Sequence, residues 1–388
     1  MSVDAVLLKG GTVYSPNRLG RKDVLILGSK IARIADQLSP PQTLETKRVD
    51  VSDKLLIPGL LDLHVHLIGG GGEDGPSSRV PELTISEILS AGITTVVGVL
   101  GTDHISRSLE TLLAKVKAFR DTIDAFMYTG SYHYPPATVT DSLSKDLALI
   151  DEIIGVKLAI SDHRSATPTR DQLTSVAAKT RMGAMLGEKP GLVHLHIGRG
   201  AKGLNPMREV VDNSEIPITQ FLPTHVSRSP ELLSEGREFV KSGGCIDLTV
   251  PGTPEREDQF TPLVESLFKA DLDTSHVTIS SDGNGSLPKF DPEGNLIEVG
   301  RGKVSRLFES TFALAESESL TLEQALPLVT SNPAARLGLG DTKGQIREGY
   351  DADLVAINQG PDYQVEEVFS GGKHVVKAGE PLIRGKYD

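Results

Sequence analysis

Hydrophobic and polar positions repeat with two different periods along this chain, and the changes of period divide it into three stretches. Residues 1–56 hold apolar runs of strand length and no convincing helical pattern. Within them, 23–27, the turn Gly28-Ser29 and 30–34 read as a hairpin. From residue 57 onward, strand-length apolar runs recur at 57–67, 93–100, 124–132, 155–162, 191–198, 218–226, 245–250 and 277–283. Longer amphipathic stretches lie between them, among them 82–91, 105–119, 141–153, 170–185 and 230–241. After residue 345 the strand pattern returns, with 353–357 and a Gly-turned hairpin over 365–377.

Strands that alternate with helices imply parallel pairing. Eight such units in roughly 250 residues predict an α/β fold of the TIM type, a (β/α)8 barrel over 57–345. The two β-rich ends, 1–56 and 346–388, are expected to join in one small β-sandwich domain beside it. A doubly wound open sheet would explain the alternation equally well, but not the polar residues described below.

Composition changes this picture little. The 388 residues are 38% hydrophobic and 24% charged, ample for a large core plus a smaller one. A net charge of −12 and a sequence pI near 5.4, with no basic tract, disfavour nucleic-acid and anionic-membrane partners. No apolar run approaches the ~20 residues that span a bilayer. The N-terminus lacks the basic region of a signal peptide, so a cytoplasmic protein is expected. The single cysteine, Cys245, sits in an apolar strand pattern and reads as core rather than nucleophile.

In a TIM barrel, reactive groups stand at the C-terminal ends of the strands. The first strand offers His64 and His66, which share one face at i and i+2. Alone, the pair reads equally as two satisfied buried histidines. The third strand offers Tyr132, and the fourth Lys157 followed by Asp162-His163-Arg164. The fifth offers His194 and His196, the sixth His225 followed by Arg228, and the eighth Asp282. Histidines, a lysine and an aspartate at one mouth point to a metal site. Lys157 lies inside an apolar strand, where burial lowers an amine pKa. It reads either as a paired or snorkelling lysine or as a neutral amine that takes up carbon dioxide. The resulting carbamate would be an anion able to bridge two cations. Such a centre lowers the pKa of a bridging water and polarises a carbonyl, while Asp282 could carry the proton to a leaving amine. No Gly-x-Ser-x-Gly elbow is present, which disfavours a covalent mechanism.

His64-Val65-His66, Lys157, His196, His225 and Asp282 on an eight-stranded barrel resemble the amidohydrolase superfamily. So do the segments 54–62, Thr330-Ser331-Asn332-Pro333-Ala334 and 349–355. The segments 66–73, 98–103, 129–133, 155–165, 222–228 and 280–286 narrow the resemblance to the isoaspartyl (β-aspartyl) dipeptidases. That resemblance resolves Lys157 in favour of the carbamate (N6-carboxylysine) and implies two zinc ions per subunit. One would be held by His64, His66, the carbamate on Lys157 and Asp282, the other by the same carbamate with His196 and His225. Spacing alone leaves His194 and His196 equivalent; the resemblance selects His196 through His196-Ile197-Gly198. His133 and His163 stay unassigned.

The implied reaction is cleavage of the isopeptide bond of β-aspartyl dipeptides by a bridging hydroxide, with Asp282 as proton shuttle. Glu73, on a glycine-rich loop, would pair with the substrate ammonium, and Arg164 and Arg228 with carboxylate. Thr102 and Ser286 would add hydrogen bonds, and Tyr132 would donate to the oxyanion. Arg199-Gly200-Ala201-Lys202, where a more acidic or polar loop is expected, is a departure bearing on specificity. The resemblance also implies a homo-oligomer, with an octamer as the candidate, and a part in clearing isoaspartyl peptides. Two competing readings are a cyclic amidohydrolase of the dihydroorotase or hydantoinase type, which Glu73 argues against, and a non-catalytic scaffold, which the intact ligand positions argue against.

Overall fold

The computed structural model describes residues 5–165, 167–270, 272–290, 296–317, 320–359, 363–386 and 388. Residues 1–4, on which part of the N-terminal reading rested, lie outside them. The central unit alternates strand and helix: β1 (Leu60–Val65), α1 (Ile85–Ser90), β2 (Ile93–Gly98), α2 (Leu109–Phe119), β3 (Asp124–Gly130), α3 (Leu143–Leu149), β4 (Ile153–Ile160) and α4 (Arg170–Leu186). It continues with β5 (Leu192–Ile197), α5 (Asn205–Asp212), β6 (Phe221–Thr224), α6 (Pro230–Lys241), β7 (Ile246–Thr249), α7 (Glu257–Lys269), β8 (Val277–Ser280) and α8 (Arg306–Glu316). All eight expected strands are therefore present, and the fold is of the TIM-barrel type.

The strands read as near-continuous apolar runs because both faces are covered. Every residue of β4 is buried, Lys157 included. The helices begin where the sequence supplies caps. Thr84 and Glu87 form a capping box on α1, as do Thr169 and Gln172 on α4, and Ser229 caps α6 ahead of Pro230.

Six parallel strands form one sheet in the order β6-β5-β4-β3-β2-β1, and β7 pairs with β8. The ring closes between β8 and β1 through a parallel bridge of Val65 to Gly283, where His66 N donates to Gly283 O at 2.8 Å. Between β6 and β7 the link is a side-chain one, Thr224 Oγ1 donating to Asp247 at 2.7 Å.

Both chain ends, expected to join in a small β-sandwich, enter one hydrogen-bonded nine-stranded sheet, eight strands along one path and Thr46–Asp50 branching from it to pair with Ala5–Tyr14. The reason lies in the strand Lys54–Pro58. It pairs with Ala5–Tyr14 on one side and Leu354–Asn358 on the other, joining the two halves edge to edge. A separate core that includes Val6, Leu8, Ile26, Leu56, Leu354 and Phe369 packs this sheet. The run expected as one strand over 57–67 is thus two strands in two sheets. Gly59 N donates to Asp353 O at 2.9 Å on the sheet side, and Leu60 N to Gly92 O at 3.0 Å on the barrel side. No described helix is long and apolar enough to cross a membrane.

Candidate active site

The C-terminal ends of the barrel strands bring the polar side chains to one mouth. His64 Nε2, from β1, lies 3.0 Å from Lys157 Nζ on β4 and 3.3 Å from Asp282 Oδ1 beyond β8. His66 Nε2 is 3.2 Å from the same aspartate oxygen. Donor atoms of His64, His225 and Asp282 all lie within 4.8 Å of one another, a spacing suited to one cation. His225, directly after β6, and Asp282, two residues after β8, lie in the left-handed region at φ of 66° and 50°. Non-glycine residues persist there only when their surroundings hold them, as reactive sites do.

His196 stands one ring farther out. Its centroid is 4.5 Å from that of His225, but its Nδ1 meets Tyr132 Oη at 2.6 Å and its Nε2 meets Asp162 Oδ2 at 3.1 Å. His194 points differently. Its Nε2 is 2.9 Å from His64 Nδ1, and its ring stacks on Tyr128 at 4.7 Å and 7°. It therefore stands behind His64 rather than beside the donor group. The two histidines that spacing left equivalent are separated by the strand register, which sets His194 opposite Lys157 and His196 opposite Ala159.

Burial governs the protonation of this floor. It holds His64 and His225 well below the usual imidazole range and brings His196 down to about 3, so all three are neutral imidazoles. Burial also lowers Lys157 to about 7, with the nearby Asp282 carboxylate opposing and Arg164 adding to the effect. Asp282 is lowered although burial works the other way, because His66 donates to it and Lys157 attracts it. The same burial raises the Tyr132 phenol and keeps it a proton donor.

Around the floor runs a rim drawn from loops and from the start of the strand Ser286–Phe290. Glu73 Oε1 accepts from Thr102 Oγ1 and from Ser286 Oγ, each at 3.1 Å, and lies 3.6 Å from Arg164 Nη1. Four of the five residues expected to bind substrate thus meet at one carboxylate. Arg164 also spends Nε and Nη2 on the two Asp162 oxygens, at 3.0 and 2.9 Å, and lies over the Tyr132 ring. Asp162 is held well below the ordinary carboxylate range by His196 and Arg164 despite its burial. The fifth residue, Arg228, donates from Nη1 to Ile197 O at 2.8 Å and lines a cavity of about 330 Å³ with Gly198 and Arg199. That cavity borders the departure segment 199–202.

Glu73 is carried by a tightly folded glycine loop. Gly69 and Gly71 have φ of 82° and 80°, and a Cβ there would lie 2.0 Å from Val80 O and 2.3 Å from Ser78 O. Arg107, buried and passed over in the sequence, clamps this loop by donating to the carbonyls of Ile68, Gly70 and Val80. Asn284 Nδ2 ties it to β1 through His66 O at 3.1 Å. Asp162 was visible as a strand-end acid, but its hold on Arg164 was not. Of the unassigned histidines, His163 is exposed beside Asp162, and His133 stacks on His104 with centroids 5.0 Å apart. Cys245 is buried just before β7, its Sγ taking a hydrogen bond from Arg336, which agrees with a core role.

Comparison with known proteins gives three findings. The model of the Amidohydrolase family matches residues 193–375. A β-aspartyl dipeptidase from Fervidobacterium islandicum AW-1, solved in complex with β-Asp-Leu dipeptide, is 39% identical with a TM-score of 0.93 and full coverage (100%) of both chains. A dihydroorotase of Lactobacillus leichmannii is 40% identical over 406 residues, covering 91% of this chain and 88% of that protein.

Proposed function

This chain belongs to the amidohydrolase family, and from that premise we propose that it is a metal-dependent dipeptidase acting on β-aspartyl (isoaspartyl) dipeptides. The observation that carries the proposal is the Glu73 cluster. A carboxylate that accepts from Thr102 and Ser286, with Arg164 beside it, suits a zwitterionic substrate end. Glu73 would take the α-ammonium, and Arg164 would take an α-carboxylate with the guanidinium nitrogen not bonded to Asp162. The β-Asp-Leu bound by the Fervidobacterium enzyme supports the same substrate class.

The donor set fits metal. Buried neutral imidazoles and a carboxylate within 4.8 Å of one another are what zinc and related divalent ions take. His64, His66, His196, His225, Asp282 and a carboxylated Lys157 would hold two zinc ions. When bound, such ions activate a water and polarise the scissile carbonyl. Lys157, lowered to about 7, is largely the neutral amine above neutral pH, the form whose nitrogen adds to carbon dioxide. Its Nζ loses a proton in that step, giving the anion the centre needs. Asp282 Oδ1, facing His64 and His66, would accept the proton of the attacking water and return it to the leaving amine. Tyr132 Oη, kept protonated by burial, would donate to the developing oxyanion.

A second reading has one observation behind it: the 40% identical Lactobacillus leichmannii relative is a dihydroorotase. A cyclic imide offers no ammonium to Glu73, which favours the dipeptide. Turnover of β-Asp-Leu, α-Asp-Leu and dihydroorotate by zinc-analysed protein distinguishes the readings. Cleavage of β-Asp-Leu alone is expected; turnover of dihydroorotate alone would overturn the proposal.

A further inference from the structure

Resting on the dipeptidase reading, we propose that the stacked imidazoles of His104 and His133 are positioning residues that hold the ammonium-binding rim and the oxyanion donor at a fixed separation. His104 belongs to the loop after β2 and His133 to the segment after β3. Their rings stack with centroids 5.0 Å apart and planes 11° apart. His104 is bound to Thr102 twice. Its backbone N–H donates to Thr102 O at 3.1 Å, and its Nδ1 meets the same oxygen at 3.2 Å. A carbonyl oxygen only accepts, so that Nδ1 carries a proton. Asp103 braces the turn, accepting from the backbone N–H groups of Ile105 and Ser106 at 3.2 and 2.9 Å. On the other side, His133 directly follows Tyr132, and its backbone N–H donates to Ser131 Oγ at 3.3 Å. Among the described residues the His133 ring has no hydrogen bond or ion pair, so the stack is what places it.

A continuous path results. Glu73 accepts from Thr102, Thr102 is closed onto His104, His104 stacks on His133, and His133 adjoins Tyr132. The two ends of the path are groups that one substrate must meet together. In a β-aspartyl dipeptide Cα and Cβ separate the amine from the scissile carbonyl; in an α-linked one Cα does so alone. With the amine fixed at Glu73, the spacing to Tyr132 decides whether the carbonyl is in register. A donor displaced by even part of that difference loses its bond to the oxyanion, because hydrogen bonds weaken steeply outside a narrow range. Arg164 also spans the two ends, lying over the Tyr132 ring and 3.6 Å from Glu73. A substrate carboxylate competes for that guanidinium, whereas the stacked rings keep their contact when substrate binds.

The test uses the full-length, zinc-loaded chain with β-Asp-Leu as substrate. His133 is exposed, so His133→Ala removes the stack without opening the core. It should lower kcat/KM by roughly 2–10-fold, the worth of one aromatic pair, mainly through kcat and with zinc content unchanged. His133→Phe keeps a planar ring against His104 and should recover most of the loss. Because the rings act as one unit, adding His133→Ala to His104→Ala should cost nothing further. A His133→Ala enzyme with wild-type kcat, a Phe variant as impaired as the Ala variant, a double variant whose losses add, or a loss that tracks lost zinc would each overturn the proposal. A wild-type chain that leaves β-Asp-Leu intact would overturn the dipeptidase reading itself, and the proposal with it.

Discussion

The floor of the barrel mouth and its rim are both built around ionisable side chains, under opposite conditions. On the floor, His64, His66, Lys157, His196 and His225 are each no more than 5% exposed and sit on or directly after strands. On the rim, the Glu73 and Arg164 side chains are 25% exposed, and both stand on loops. Charges on the dry floor act through a low effective dielectric, so gaining or losing one is felt throughout the cluster. Rim charges share their interactions with water and can be replaced at a graded cost. The floor therefore suits chemistry, and the rim suits discrimination between substrates.

That contrast can be broken at its strongest point first. Lys157→Ala removes the amine on which the carbamate depends. We expect near-complete loss of zinc by metal analysis and of β-Asp-Leu turnover, with short carboxylic acids plus zinc restoring part of both; a metal-replete, active variant would show that the floor does not depend on this anion. Asp282→Asn should keep much of the metal yet lower kcat by ~10²–10⁴-fold, the usual worth of a positioned acid–base group; near-normal kcat would move the proton elsewhere.

A rim substitution should behave differently. Glu73→Gln removes a charge-assisted hydrogen bond worth ~1.5–3 kcal/mol, so kcat/KM for β-Asp-Leu should fall by roughly 10–100-fold while zinc content stays at the wild-type level. Unchanged efficiency would remove Glu73 from substrate recognition.

The smallest effect is a shift with pH. The folded pKa of Lys157 is lowered from 10.5 to about 7, chiefly by burial. Between those values the unfolded chain binds the extra proton, so this group's contribution to stability grows as pH rises from about 7 to 10.5 and is lost as pH falls back. Zinc loading should accordingly decline as pH falls through 7. The imidazoles, held lower, cannot supply that midpoint; loading that stays flat from pH 8 to 6 would rule Lys157 out.

The sequence by itself determined the eight strand–helix alternations, because parallel strands covered on both faces must be apolar and the helices between them amphipathic. It also marked His64, His66, Lys157, His225 and Asp282, since polar groups at the ends of such strands have few structural reasons to be there. Tertiary structure alone decided three things. It paired the two β-rich ends within one hydrogen-bonded sheet, through a strand whose pairing partners lie about 340 residues apart in sequence. It separated His194 from His196, because strand register, not spacing, sets which side chain faces which neighbour. And it gathered Thr102 and Arg164 from two loops and Ser286 from the start of a strand onto one oxygen of Glu73. Loop paths depend on anchors such as Arg107 and Asn284, whose carbonyl partners leave no periodic trace in the chain.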